Sequence, residues 1–157
     1  MARHLMVAFV ITIVVYVAAF SWIEHRRTFR GPWQVRFAAD SKGTPSLLIT
    51  QTNLGIHDVQ VLFPEEHAAV SNVSQTLFFN KPAEPPIDLP FGQCVFEDLT
   101  FLPGTLTIQL YGHELELLPR VFVVNKLRRD WASGETITLY ATNKLPHLFQ
   151  PKSNTKY

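Results

Sequence analysis

Three residues near the middle of the chain have side chains of the kind that carry out chemistry. His113, Glu114 and Glu116 lie close together in the stretch LTIQLYGHELEL, which runs from 106 to 117. A histidine and two carboxylates can bind a metal ion, or they can exchange protons with a substrate as general acid and base. Whether these three can act together depends on the element that carries them.

A β-hairpin accounts for this spacing better than one continuous strand does. A single strand would place Glu114 and Glu116 on the same face as the leucines, and burying carboxylates without partners is costly. A two-residue turn at Gly112 and His113 instead pairs apolar residues with apolar ones, and glycine in the first turn position suits a type II′ turn. His113 is then expected at an exposed tip, with both glutamates on the face opposite the leucines. The predicted pairs are Tyr111 with Glu114, Leu110 with Leu115, Gln109 with Glu116 and Ile108 with Leu117.

The same reasoning argues against catalysis. Successive residues on a strand point to opposite faces, so His113 and Glu114 are badly placed to hold one metal ion. The sequence has no HExxH helix pattern, no G-x-S-x-G and no glycine-rich phosphate loop. The adjacent pair His57 and Asp58 is explained by a turn that leads into a strand. The sequence therefore predicts no catalytic residue, no cofactor and no metal, and an acid pair assembled only by the fold is the remaining enzyme alternative.

The composition argues against several classes of function. A single cysteine, Cys94, can form neither an intrachain disulfide nor a multi-cysteine zinc site. On a strand, where it would share a face with Phe96, it is expected to be a small buried hydrophobe. The net charge of +1 offers no strongly basic surface, so no nucleic acid partner is expected.

The amino-terminal segment predicts a transmembrane anchor with a basic flank in residues 1–27. Residues 5–23 form an uncharged apolar run. As a helix this run would be roughly 28 Å long, close to the thickness of a bilayer's hydrocarbon core. Trp22 at its end and Arg26 and Arg27 beyond it are typical of a membrane interface.

Two points about this segment stay open. The first is that small residues at 17–19 offer a cleavage site for a signal peptide, although the apolar run is longer than a usual signal core. The second is orientation. Basic residues after the run favour a cytoplasmic carboxy-terminal side, whereas a short basic amino terminus before an apolar stretch is how an exported domain usually begins. We expect the domain that follows to be extracytoplasmic.

Residues 31–145 alternate short apolar and polar segments with turns, which predicts a mainly β domain. Since no long helical pattern separates the segments, the expected fold is an antiparallel β-sandwich of immunoglobulin-like architecture or an open barrel. The proline-rich stretch 80–92 is expected to be an extended surface linker and the tail 146–157 to be flexible. The predicted strands are WQVRFAAD, SLLITQT, HDVQVLF, VSQTLFF, QCVFEDLTFL, TLTIQLY, ELELL, RVFVVNKL and ETITLYA.

The loop LRRDWASGE is the best candidate for a recognition surface. It combines Arg128, Arg129, Asp130 and Trp131, and arginine and tryptophan are enriched at interface hot spots. The alternative is that Arg128 and Arg129, together with Lys126, rest against anionic lipid headgroups.

We therefore expect a single-pass, membrane-anchored β-domain that acts as a non-catalytic interaction or accessory module in the cell envelope. Its expected partners are the lipid bilayer and a protein. One alternative is a domain that binds an envelope polymer or carbohydrate, in which Trp33 and Trp131 would form exposed, coplanar rings for sugar stacking. A membrane-tethered enzyme, with two titratable groups in a deep pocket, is the third alternative.

Overall fold

A computed structural model describes residues 2–29, 33–69, 71–81, 83–99 and 104–146. These residues form one long α-helix, eleven β-strands and two short 3-10 helices. Beyond residue 146, the tail that we predict to be flexible lies outside the described residues.

The single helix, α1, spans Ala2–Phe29 and contains the predicted apolar run. Its segment Arg3–Ile23 has 21 residues and a mean hydropathy of 2.4, and none of it is buried against the other residues that the structure describes. At 1.5 Å per residue this segment is about 31 Å long. It is therefore long and apolar enough to cross a bilayer, in agreement with the prediction.

The strands form two sheets. Sheet A has the order β11-β3-β2-β1-β4 and sheet B the order β10-β9-β8-β7-β6-β5. Neighbouring strands are antiparallel except β11 and β3, which are parallel. The strands are β1 Trp33–Ala39, β2 Pro45–Gln51, β3 Ile56–Leu62, β4 Ser74–Phe79, β5 Ile87–Leu89, β6 Gly92–Asp98, β7 Thr105–Leu110, β8 His113–Leu117, β9 Phe122–Val124, β10 Leu127–Arg129 and β11 Thr136–Thr138.

Buried and outward-facing side chains alternate along the strands, and the buried ones form the core between the two sheets. In β1 every second residue, from Trp33 to Ala39, is buried and the residues between them face outward. Rings meet across the core, with centroids 5.9 Å apart for Phe37 and Phe91 and 5.6 Å apart for Phe63 and Tyr111. Burying a side chain of this size contributes about 2 kcal/mol or more to the free energy of folding. The prediction of a β-sandwich is confirmed, and within the described residues neither sheet closes into a barrel.

Two predictions of local structure were wrong. The proline-rich stretch is not only a linker, because β5 lies within it and pairs with β6, and Leu89 reaches the core. The segment RVFVVNKL is not one strand, since Asn125 and Lys126 take positive φ values of 50° and 68° and turn the chain from β9 into β10. Two successive positive φ angles form the hairpin turn whose twist matches that of the flanking strands.

The two ends of the sandwich are distinguished by the short connection between α1 and β1. Only residues 30–32 separate the end of α1 from Trp33, so the helix ends within about 15 Å of β1. We call this end of the sandwich the proximal end. The opposite end, which carries the turns at Tyr111–Gly112 and Asn125–Lys126, is the distal end.

Candidate functional site

The hairpin that carries His113 turns one residue earlier than predicted. Tyr111 and Gly112 form the turn, with φ values of 50° and 81°, so both central residues are in the left-handed region as a type I′ turn requires. The prediction of a Gly112–His113 turn was wrong. The observed pairs are Leu110 with His113, Gln109 with Glu114, Ile108 with Leu115, Thr107 with Glu116 and Leu106 with Leu117.

This shift moves His113 into the core, so the prediction of an exposed tip was also wrong. Its side chain is fully buried on the leucine face, because it lies opposite Leu110. The ring of Tyr111 explains the shift in part, since it leaves the strand to pack against Phe63 and Phe91. Burial there raises the pKa of Tyr111 to about 12.

The hydrogen bonds of Asn125 fix the protonation state of His113. The Asn125 Oδ1 atom accepts from the Glu114 amide at 2.9 Å, and its Nδ2 atom donates to the Asn143 carbonyl at 2.7 Å. With the amide oriented by these two backbone groups, Nδ2 must also be the donor to His113 Nδ1, which lies 2.9 Å away. The histidine is therefore neutral, with its proton on Nε2.

The rest of the environment of His113 also favours the neutral ring. Its Nε2 atom is buried and has no hydrogen-bond partner among the described residues. Burial and the nearby Lys144 ammonium lower the pKa of His113, although Glu66, which forms an ion pair with Lys144, acts in the opposite direction. This arrangement is that of a core residue that holds turns together.

The two glutamates lie on the opposite face of β8, as predicted. Lys126 forms an ion pair with Glu114 and lies 3.1 Å from Glu116. Burial opposes the ionisation of Glu114, but hydrogen bonds from Lys126 and Gln109 outweigh it and hold the pKa of Glu114 below its usual range. Across the described ranges, no group of three or more His, Cys, Asp or Glu residues is placed to hold a metal ion.

Cys94 is buried, as predicted, and burial raises the pKa of its thiol to about 11. Phe96, however, does not share its face and is 49% exposed. A register shift between Cys94 and Phe96 in the pairing of β6 with β7 inserts an extra residue and turns the two side chains apart.

The predicted recognition loop lies partly on an edge strand. Arg128 and Arg129 belong to β10, the last strand of sheet B, and both are exposed. Leu127 in the same strand is 72% exposed although it lies opposite the core residue Val124. The core side of β10 is thus uncovered at Leu127.

Trp131 fixes the course of this loop. Its ring stacks on Phe122 at 4.7 Å between centroids, and its Nε1 atom donates to the Leu118 carbonyl at 2.8 Å. Asp130 beside it is exposed, and Arg129 reaches Glu135 at 3.6 Å. The structure therefore keeps the four predicted residues together, with Trp131 as the packed member and the other three at the surface.

The two tryptophans do not form a platform for sugars. Trp33 is fully buried and donates from Nε1 to the Gly104 carbonyl at 3.1 Å. Its ring lies 5.3 Å from that of Trp131 at an angle of 34°. Sugar stacking on a coplanar, exposed pair would require a different arrangement.

The predicted interface residues of the helix are only partly described. Trp22 lies on α1 one residue before the end of the apolar segment, as an interfacial ring would. The side chains of Arg26 and Arg27 lie outside the part that the structure describes.

One feature that the sequence analysis missed is a polar recess on the outer face of sheet A. It has a volume of about 410 Å³, and one of its lining residues, Asp58, has a φ of 53°. Alternation alone indicates that residues such as Gln34 and Arg36 face outward, but only the strand pairing shows which neighbours they meet. The recess is lined by Gln34, Arg36, Leu48, Thr50, Asp58 and Thr76.

Comparisons with known proteins add no assignment. No protein-family model, curated protein or solved structure matches the chain. The candidate functions below rest on the geometry of this chain.

Proposed function

We propose that the chain is a single-pass membrane protein whose helix holds the β-sandwich at a membrane surface as a non-catalytic interaction module. The apolar segment Arg3–Ile23 supports an anchor, because it is exposed and none of the other described residues covers it. An uncleaved anchor confines the domain to the membrane and raises its effective concentration for neighbours there.

The uncovered edge strand β10 carries the proposal that the partner is a protein. An edge strand offers unpaired backbone groups, and such strands are commonly extended by a strand from another chain. Leu127 supplies an exposed apolar side chain, and Arg128 and Arg129 supply charge for specificity. The proposed interaction surface consists of Leu127, Arg128, Arg129, Asp130 and Trp131.

Charge favours a protein partner over anionic lipid for this surface. Residues 33–146 contain eight Lys and Arg residues and twelve Asp and Glu residues. A net negative domain is repelled by an anionic membrane. Lys126 does not add its charge to that of Arg128, because its ammonium group forms ion pairs with Glu114 and Glu116 at the distal turn.

We further propose that the sandwich lies on the extracytoplasmic side, in the cell envelope. The test is a reporter fused after Tyr157 whose signal depends on compartment. Signal from an extracytoplasmic reporter supports this orientation, and signal from a cytoplasmic reporter alone contradicts it.

Affinity capture of the full-length, detergent-solubilised protein followed by mass spectrometry tests the interaction surface. We expect a reproducible partner that is lost with Leu127→Asp and weakened with Arg128→Glu. The matched controls lie at exposed positions away from β10: Leu54→Asp makes the same change as Leu127→Asp, and Lys42→Glu makes the same change of charge as Arg128→Glu. Failure to recover any reproducible partner, or equal recovery with all four variants, would contradict the proposal.

A further inference from the structure

We propose that the recess on the outer face of sheet A binds a neutral, polyhydroxylated ligand of the kind that a glycan chain presents. This inference concerns a different face from the β10 surface and does not depend on it. Its basis is the set of side chains that the strand register brings together and the strained residue that completes the set.

Pairing of β1 with both of its neighbours builds two short rows of side chains. Arg36 lies opposite Leu48 on one side and Thr76 on the other. Gln34 lies in the same way between Thr50 and Phe78. Since paired residues on neighbouring strands share a face, each row presents polar groups from two of its three strands, and Leu48 and Phe78 are the apolar members.

A bulge in β3 adds Asp58 to this array. The register runs from Ile49–Val59 to Gln51–Ile56, so His57 and Asp58 together lie opposite the single residue Thr50. Asp58 takes a φ of 53°, which costs about 1 kcal/mol for a residue other than glycine. Bulges of this kind redirect a side chain without ending the sheet, and they are over-represented next to active sites.

Contacts from another loop hold the bulge in place. The His57 amide donates to Ser133 Oγ at 3.0 Å, and the Gly134 amide donates to the His57 carbonyl at 2.9 Å. Ser133 Oγ in turn donates to the Gly55 carbonyl at 3.0 Å. A strained residue persists where its surroundings over-determine it, and such positions cluster at functional sites.

The chemistry of the lining suits hydroxyl groups. A carboxylate, a guanidinium and a carboxamide are planar groups that can each form two adjacent hydrogen bonds, and Thr50 and Thr76 add hydroxyls. Arg36 Nε donates to Ser74 Oγ at 2.9 Å, which orients the guanidinium. One positive and one negative charge leave the recess neutral, which disfavours a phosphate or a metal ion and favours a neutral ligand with many hydroxyls.

The surroundings of the recess suit an extended chain of sugars. Phe78, adjacent to Gln34, is 56% exposed and offers an apolar ring against which the C–H face of a sugar can pack. The recess opens on a sheet face and is not enclosed, so a ligand laid across the strands can continue beyond it in either direction.

Calorimetric titration of the full chain in detergent tests the site. The probes are maltohexaose, cellohexaose and chitohexaose, with a heparin hexasaccharide as the charged comparison. We expect saturable binding of at least one neutral probe, weakened about tenfold or more by Asp58→Asn and by Arg36→Gln, since each removes charge-assisted hydrogen bonds. Thr138→Ala, on the same face but outside the recess, is the control and should bind as the wild type does.

Asp58→Gly separates binding from folding. Glycine accepts a φ of 53° without strain, so this variant should keep or raise the melting temperature while losing binding. Absence of saturable binding to all three neutral probes would overturn the proposal. So would binding that survives Asp58→Asn, or a preference for the heparin hexasaccharide over every neutral probe.

Discussion

The Nδ1 atom of His113 lies 2.9 Å from the amide nitrogen of Asn125, which keeps the histidine neutral inside the sandwich. The contact joins the two distal turns, because Asn125 belongs to the β9–β10 turn and His113 follows the β7–β8 turn. Burial of the His113 ring lowers its pKa, which gives the fold a dependence on pH that the sequence alone does not indicate.

Acid should destabilise the domain through His113. Its pKa is lowered in the folded state, so the unfolded chain binds the proton more readily, and the stabilisation present above about pH 6.5 is lost as the pH falls below it. The slope for one proton is at most about 1.4 kcal/mol per pH unit. Chemical unfolding at pH 7.5 and pH 5.5 should therefore show a smaller pH effect in His113→Leu than in the wild type.

His67→Leu is the control for this comparison, because that side chain is exposed. The free energy of unfolding of this variant should change with pH as that of the wild type does. Equal pH dependence in His113→Leu and the wild type would show that His113 is not the acid-sensitive group.

Asn125→Gly should weaken the distal end. Glycine keeps the φ of 50° at this position but loses the side-chain bonds to Glu114, Asn143 and His113. We expect the free energy of unfolding to fall by about 1–3 kcal/mol, because a buried backbone amide and a carbonyl lose their partners. Asn72→Gly is the matched comparison, because Asn72 is exposed and has a φ of 56°, and it should change the free energy of unfolding by less than about 0.5 kcal/mol. A loss below about 0.5 kcal/mol for Asn125→Gly would contradict the role assigned to this amide.

Gln51→Leu should stabilise the protein. Gln51 is fully buried at the proximal end, and neither Oε1 nor Nε2 has a hydrogen-bond partner within the described ranges. A buried polar group without partners costs about 1–3 kcal/mol, so an apolar side chain of similar size should raise the free energy of unfolding. The same change at exposed Gln75 should alter it by less than about 0.5 kcal/mol. Destabilisation by Gln51→Leu would mean that the amide is satisfied in solution.

Ser133→Ala should loosen the bulge at Asp58 without unfolding the domain. The variant removes the acceptor of the His57 amide and the donor to the Gly55 carbonyl. Hydrogen exchange at the His57 amide should accelerate, while amides in the centre of sheet B keep their protection. Unchanged exchange at His57 would show that the strained conformation needs no support from this loop.

The fold was predictable because apolar and polar residues alternate clearly along strands that have one buried face. Trp33, Val35 and Phe37 in β1 show this alternation, as do Leu106, Ile108 and Leu110 in β7. The general placement of Glu114 and Glu116 on the outer face followed from the same pattern.

The details of register were not predictable from alternation. Both possible turns of the β7–β8 hairpin pair Gln109 with a glutamate, so the polar pattern does not distinguish them. The choice depends on where the Tyr111 ring packs, which is a contact with another part of the chain. The recess around Asp58 depends likewise on a bulge and on pairing between distant strands.

The most direct test of the account is the intact mass of the protein recovered from membranes washed with alkaline carbonate. An uncleaved anchor predicts that the protein stays in the washed membranes with a mass that includes all of Arg3–Ile23. A protein released by the wash, with a mass that lacks the residues up to Ala19, would show that the segment is a signal peptide and that the sandwich is not held at a membrane by α1.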